Sequence, residues 1–142
     1  MNIFLQCLLA FLSCIGFTII FNVRGKMIFY AALGGALGTL MFQVIILAFD
    51  SELTAYFAAA LAISFFSETV ARIHKVPVTI TLIPALIPFV PGGGIYYTMV
   101  YFIDGNTTDF LASFIHTISI AGALSFGNIA ISSFFRLFYT KA

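Results

Sequence analysis

Pro84-Ala85-Leu86-Ile87-Pro88-Phe89-Val90-Pro91-Gly92-Gly93-Gly94 interrupts an apolar run long enough to cross a lipid bilayer. Each proline removes a backbone donor, and consecutive glycines open dihedrals that other residues reach only at a cost. The bilayer interior holds no water to satisfy the freed carbonyls. Such a break survives only where protein buries it or where it lines a polar cavity. A discontinuous helix at membrane depth is the usual mark of a transport site.

The rest of the chain agrees with a membrane setting. Of 142 residues, 62% are hydrophobic and 8% charged, and the mean hydropathy is +1.14. Soluble domains carry roughly 25% charged residues, so this composition reads as an integral membrane protein. A formal net charge of +1 with no basic patch gives no reason to expect nucleic acid. Cys7 and Cys14 share the first apolar segment, about 10 Å apart along one helix, which is too far for a disulfide. They read as buried or lipid-facing hydrophobes. His74 and His116 fall in different segments, and no Cys/His/Asp cluster has metal-ligand spacing. The sequence implies no cofactor.

Charges punctuate the apolar runs and divide the chain into five transmembrane helices, at about 3–21, 27–49, 53–71, 78–103 and 110–135. Each is near the ~20 residues that a helix needs to cross the hydrocarbon core. The expected fold is therefore an all-α integral membrane protein: residues 1–142 as a single five-helix membrane domain, with helix 4 broken at Pro88–Gly94. Connecting segments alternate basic, acidic, basic, acidic, basic, and all six Lys and Arg fall on one side. The positive-inside rule puts that side, with the C-terminus, in the cytoplasm and the N-terminus outside. The first helix lacks a basic leader and an A-x-A site, so it is expected to remain as a span rather than be cleaved. The loops are short, which leaves no extramembrane domain for a nucleotide or a soluble catalytic site.

Small residues recur one turn apart on three helices. Gly34 and Gly38 stand in G-x-x-x-G register; Ala55, Ala58, Ala59 and Ala62 follow on helix 3, and Ser119, Ala123 and Gly127 on helix 5. Such stripes let backbones approach in lipid. They suit packing within the chain or an interface with a partner, a second copy included.

Few polar side chains lie deep. Gln43 and His116 each sit about two turns from the outward end of their helices and are candidates to meet. Imidazole suits a proton relay, because its ordinary titration lies nearest neutrality. The alternative is a neutral His sharing a structural hydrogen bond. Glu68, an acid within a span, stands four residues before Arg72, so an i,i+4 pair accounts for it; a gating or coupling role is the competing reading.

In helix 4, Pro84, Pro88 and Pro91 are spaced to free the carbonyls of Ile80, Pro84 and Ile87. A second half-helix is expected from near Ile95. Its first amides would carry the positive end of the helix dipole and form a pocket for a carboxylate, with hydroxyls from Tyr96, Tyr97 and Thr98 at the same level. The candidate substrate path or gate is Pro88, Pro91, Gly92, Gly93, Gly94, Tyr96 and Tyr97. The competing reading is a proline kink held by neighbouring helices.

At this motif the chain resembles the threonine/serine exporter family, small-subunit type. The resemblance rests on Ile87-Pro88-Phe89-Val90-Pro91-Gly92-Gly93 followed by Tyr96, and on Lys75-Val76-Pro77 just before that helix. It implies a multi-pass protein of the bacterial inner membrane that exports threonine and serine, or dicarboxylates such as succinate. It also implies that the chain is half of a transporter, working with a larger membrane subunit of the same family.

Two functions follow as expectations. One is the small subunit of a two-component exporter of amino acids or small carboxylates. The other is a non-transporting assembly or regulatory subunit. An intramembrane enzyme is disfavoured, because no nucleophile–base pair or metal set is visible.

Overall fold

The computed structural model describes residues 2–139; Lys141 of the basic tail lies outside them. In chain order it contains α1 (Ile3–Ile20), α2 (Met27–Phe49), α3 (Glu52–His74), α4 (Thr79–Leu86), a 3-10 turn (Ile87–Phe89), α5 (Gly92–Ile103) and α6 (Thr107–Tyr139). Four helices are long and apolar enough to cross a membrane, and counting Thr79–Phe89 with Gly92–Ile103 as one bent span makes five. The exterior suits lipid: Phe4, Ile20, Leu47, Ile103 and Leu137 are each more than 70% exposed. In water that surface would drive aggregation.

Small residues set the packing. α2 lies against α1, α3 and α4, and α3 lies between α2 and α6. A Cβ at Gly35 would collide with Cys14 of α1, and one at Gly38 with Ile63 of α3. A Cβ at Gly127 of α6 would stand 2.7 Å from Ala60 and 2.9 Å from the Phe57 carbonyl of α3. Ala55, Ala59 and Ala60 are fully buried. Gly38, Gly127, Ala55 and Ala59 of the stripes are thus used inside the chain, where close backbone approach replaces the missing hydrophobic drive, while Ala58, Ala62, Ser119 and Ala123 are only partly buried. The core they surround is Ala59, Ile63, Leu82, Ala85 and Phe89.

Three helix ends lie three or more residues from the expected bounds, among them the end of α6, which runs on to Tyr139 instead of 135. α3 runs through Arg72 to His74 instead of stopping at 71, and ends where Lys75 turns left-handed with φ 54°. There the Val76 amide reaches back to the Ala71 carbonyl at 3.0 Å, and Pro77 follows. Charge does not end a helix; the turn chemistry does. α6 begins at Thr107 instead of 110. Asn106 Nδ2 donates to Asp109 Oδ2 at 2.7 Å, and the Asp109 amide donates back to Asn106 Oδ1 at 3.4 Å. This reciprocal cap starts the helix one turn early. At 33 residues, α6 is about 50 Å long and exceeds the hydrocarbon thickness.

Candidate functional site

The break in the fourth span is shorter than its sequence suggests. Pro84 is accommodated inside α4, the chain turns once through Ile87–Phe89, and only Val90 and Pro91 are non-helical before α5. The two halves meet at 50°. The second half starts at Gly92, so the expected start near Ile95 is corrected: Pro91 supplies the N-cap and the three glycines form the first turn. None of the three has a positive φ, so left-handed freedom is not their purpose. Nor is the Ile87 carbonyl left open, since it accepts the Val90 amide at 3.1 Å.

The glycines have two separate roles. Gly94 lies against α6, where a Cβ would collide with the Thr117 side chain. At Gly92 and Gly93 a Cβ would meet nothing within 4 Å, and both residues are exposed. The Gly92 amide turns back to the Val90 carbonyl at 2.7 Å. The amides of Gly93 and Gly94 find no acceptor among the described residues, as expected of the second and third positions of a helix. The backbone of Gly92 and Gly93 is therefore uncovered at the break, and the Gly93 amide is an unmatched donor there.

α5 is held almost wholly by α6. The buried Thr98 hydroxyl donates to the Gly94 carbonyl at 2.7 Å and lies 2.9 Å from the Ser113 hydroxyl. Ser113 Oγ also lies 3.4 Å from the Gly94 carbonyl, so both hydroxyls reach that acceptor and either can donate to the other. Phe102 on Phe110 closes the far end of the seam.

Beside that seam a groove follows one face of α6. An apolar cleft of about 390 Å³ lies between Ile95 and Met99 of α5 and Phe114 and Ile118 of α6. It shares Val90, Pro91 and Ala121 with a second cleft of about 250 Å³ that reaches Ser125 and Asn128. Asn128 in turn opens a third cleft of about 360 Å³, lined by Glu68, Arg72, Ser132, Ser133 and Arg136. Residues 114, 118, 121, 125, 128, 132 and 136 are spaced by threes and fours, so one helix face lines the whole track. Its character changes at the break, from apolar toward the acidic end of the molecule to polar toward the basic end.

The other expected residues are placed as follows. Pro91 lines the groove; Pro88 is exposed beside it. Tyr96 and Tyr97 are exposed and packed edge to face on each other, and Tyr97 stacks on Tyr101; neither lines the groove. Gln43 and His116 do not meet, because α3 stands between their helices. His116 Nε2 lies instead 3.0 Å from Glu52 Oε2, a carboxylate at the first position of α3. Glu52 falls just before the expected helix 3 at 53–71, and no local signal joins residues 64 positions apart. Glu68 pairs with Arg72 at 3.1 Å, in the i,i+4 arrangement expected. Among the described residues no three His, Cys, Asp or Glu side chains gather as a metal set.

A helical multi-pass membrane protein with one span broken beside an open groove has the architecture of a transport protein. The family model described as Threonine/Serine exporter, ThrE matches residues 6–134, which includes the break and nearly all of α6, and the chain belongs to that family. No curated protein and no solved structure matches the chain.

Proposed function

We propose that this chain is the small subunit of a two-component exporter of threonine and serine, or of small carboxylates such as succinate, in the bacterial inner membrane. The observation that carries this reading is the groove along α6, which runs past Val90 and Pro91 at the break and lies open on the outside of the five-span chain. A solute path open to lipid along its length cannot be water-filled, so a second wall is required. A larger subunit of the same family would supply it, with the exposed Tyr96 and Tyr97 available to that partner.

In this reading Pro88, Pro91, Gly92, Gly93 and Gly94 form the path or gate. The amides of Gly93 and Gly94 offer unmatched donors to a carboxylate at the positive end of the α5 dipole. His116 with Glu52 would carry protons near the acidic end, and the acidic end faces outward. Glu68 acts with Arg72 at the basic, cytoplasmic end.

The competing role as an assembly subunit drew on the small-residue stripes. Gly34, Gly38 and Gly127 of those stripes are packed within the chain, whereas Ala58, Ala62, Ser119 and Ala123 are only partly buried and stay open to a partner.

The test is efflux of preloaded threonine, serine and succinate from cells expressing this chain, its larger partner, or both. Efflux of one solute only from cells with both subunits is the expected result. A stable complex with no efflux of any of the three would return the chain to an assembly role.

A further inference from the structure

We infer that Asn128, held in place by Ser64, is the residue of the groove that hydrogen-bonds an oxygen atom of the solute. The inference rests on reading the groove as a solute path.

The Ser64 hydroxyl donates to Asn128 Oδ1 at 3.2 Å, joining α3 to α6. Ser64 is 1% exposed and stands about 18 Å from one end of α3 and about 15 Å from the other. The pair therefore lies near the middle of the span. The bond pins the oxygen edge of the amide against α3 and leaves the Nδ2 edge free. Nδ2 carries two protons and has no acceptor among the described residues.

Asn128 is only partly buried, and it alone lines both the cleft of about 250 Å³ and the cleft of about 360 Å³. In the smaller cleft the other side-chain donor, the Ser125 hydroxyl, is spent on the Ala121 carbonyl at 2.8 Å. Asn128 is thus the side-chain donor that this cleft offers a solute. A pair of amide protons left facing hydrocarbon at this depth is costly, whereas a solute oxygen would satisfy it. Helix packing does not require the amide, because Gly127 already brings α6 against Ala60 and the Phe57 carbonyl of α3. An uncharged N–H pair matches either a hydroxyl or a carboxylate, so the test separates these two sources.

Ser125→Cys, with Cys7→Ala, places a thiol in the same cleft. Its maleimide labelling is followed in membranes that hold both subunits, with L-threonine, L-serine, succinate, L-2-aminobutyrate and L-threoninol as probes. Slowing follows 1 + [L]/Kd, so a probe at twice its Kd slows labelling about threefold. The expected result is slowing by at least one of threonine, serine and succinate, lost when Asn128→Leu is added. Protection by succinate, or by aminobutyrate but not threoninol, assigns the bond to a carboxylate. Protection by threoninol but not aminobutyrate assigns it to the hydroxyl. Three outcomes overturn the inference: no protection by any probe, protection unchanged by Asn128→Leu, or loss of the two-subunit complex in Asn128→Leu, which would make Asn128 a partner contact.

In efflux, Asn128→Leu should raise KM about tenfold, which is about 1.4 kcal/mol, with kcat retained. Ser64→Ala, which frees the amide to turn, should raise KM less and add little to Asn128→Leu, because both act through one contact. An unchanged KM in Asn128→Leu, or a Ser64→Ala effect that adds in full, would also overturn the inference. If both subunits together export nothing, the transport reading fails while the labelling assay still decides whether Asn128 meets a solute.

Discussion

The His116 imidazole and the Glu52 carboxylate lie 3.0 Å apart, joining α6 to the first residue of α3 across 64 positions of sequence. Both side chains are about half exposed, at 55% and 48%. An exposed pair of this kind contributes at most about 1 kcal/mol to stability, so folding alone does not demand it.

The pair attracts as a salt bridge only while the ring is protonated and the carboxylate ionised. If it moves protons, the pH dependence of export should flatten in His116→Gln and in Glu52→Gln, with the complex still assembled. Efflux rates against external pH, compared with the unsubstituted protein, check this. Identical profiles would leave the pair as a structural link.

The glycines at the break should separate by substitution. Gly94→Leu drives a side chain into Thr117 and should destabilise the α5–α6 seam by about 1–3 kcal/mol, the range for overpacking. A Cβ at Gly92 meets nothing within 4 Å, so the thermal midpoint of Gly92→Leu in detergent should fall far less than that of Gly94→Leu. Export should nevertheless collapse in Gly92→Leu if the open backbone belongs to the path. Loss of complex assembly in Gly92→Leu would make the position structural.

Gly127→Leu tests the helix packing independently of transport. Its side chain would meet Ala60 and the Phe57 carbonyl, so α3 and α6 must separate. A lowered thermal midpoint is expected, larger than that of Gly122→Leu, where a Cβ meets nothing within 4 Å.

Thr98→Val removes a hydroxyl that serves both Gly94 and Ser113 while keeping the shape. A loss of about 1 kcal/mol is the ordinary effect of one such hydrogen bond. Because α5 is held almost wholly by α6, amide exchange in Gly92–Ile103 should accelerate more than in α3. Equal acceleration in both would mean that α5 is anchored elsewhere.

Cysteine labelling checks the inner packing. Cys14 is fully buried against Gly35, whereas Cys7 is partly exposed. Maleimide should modify Cys7 in the folded protein and Cys14 only after unfolding.

Much of the architecture was legible because it rests on local free energies. Transfer of apolar side chains into lipid marks each span in its own residues, and Pro84, Pro88 and Pro91 mark the broken one. The pairing of Glu68 with Arg72 was equally local. The early start of α6 was legible too, in Asn106-x-x-Asp109, a capping signal that hydropathy alone passes over. The misjudged start of α5 has a different cause: three glycines permit a break, but helical first-turn geometry costs them little when a proline precedes.

By itself, then, the amino-acid sequence determined a membrane protein with five apolar segments, one of them interrupted, and the motif that resembles its family. Tertiary structure alone decided the partners of residues far apart in the sequence. His116 found Glu52 rather than Gln43 because α3 packs between α2 and α6. Gly94 was assigned to a seam and Gly92 to open space by the side of α5 that α6 covers. The groove exists because α5 leans on α6 and away from the rest of the bundle. Hydropathy and turn chemistry act over a few residues, whereas contacts across 64 positions depend on how whole helices pack, and no local preference encodes that.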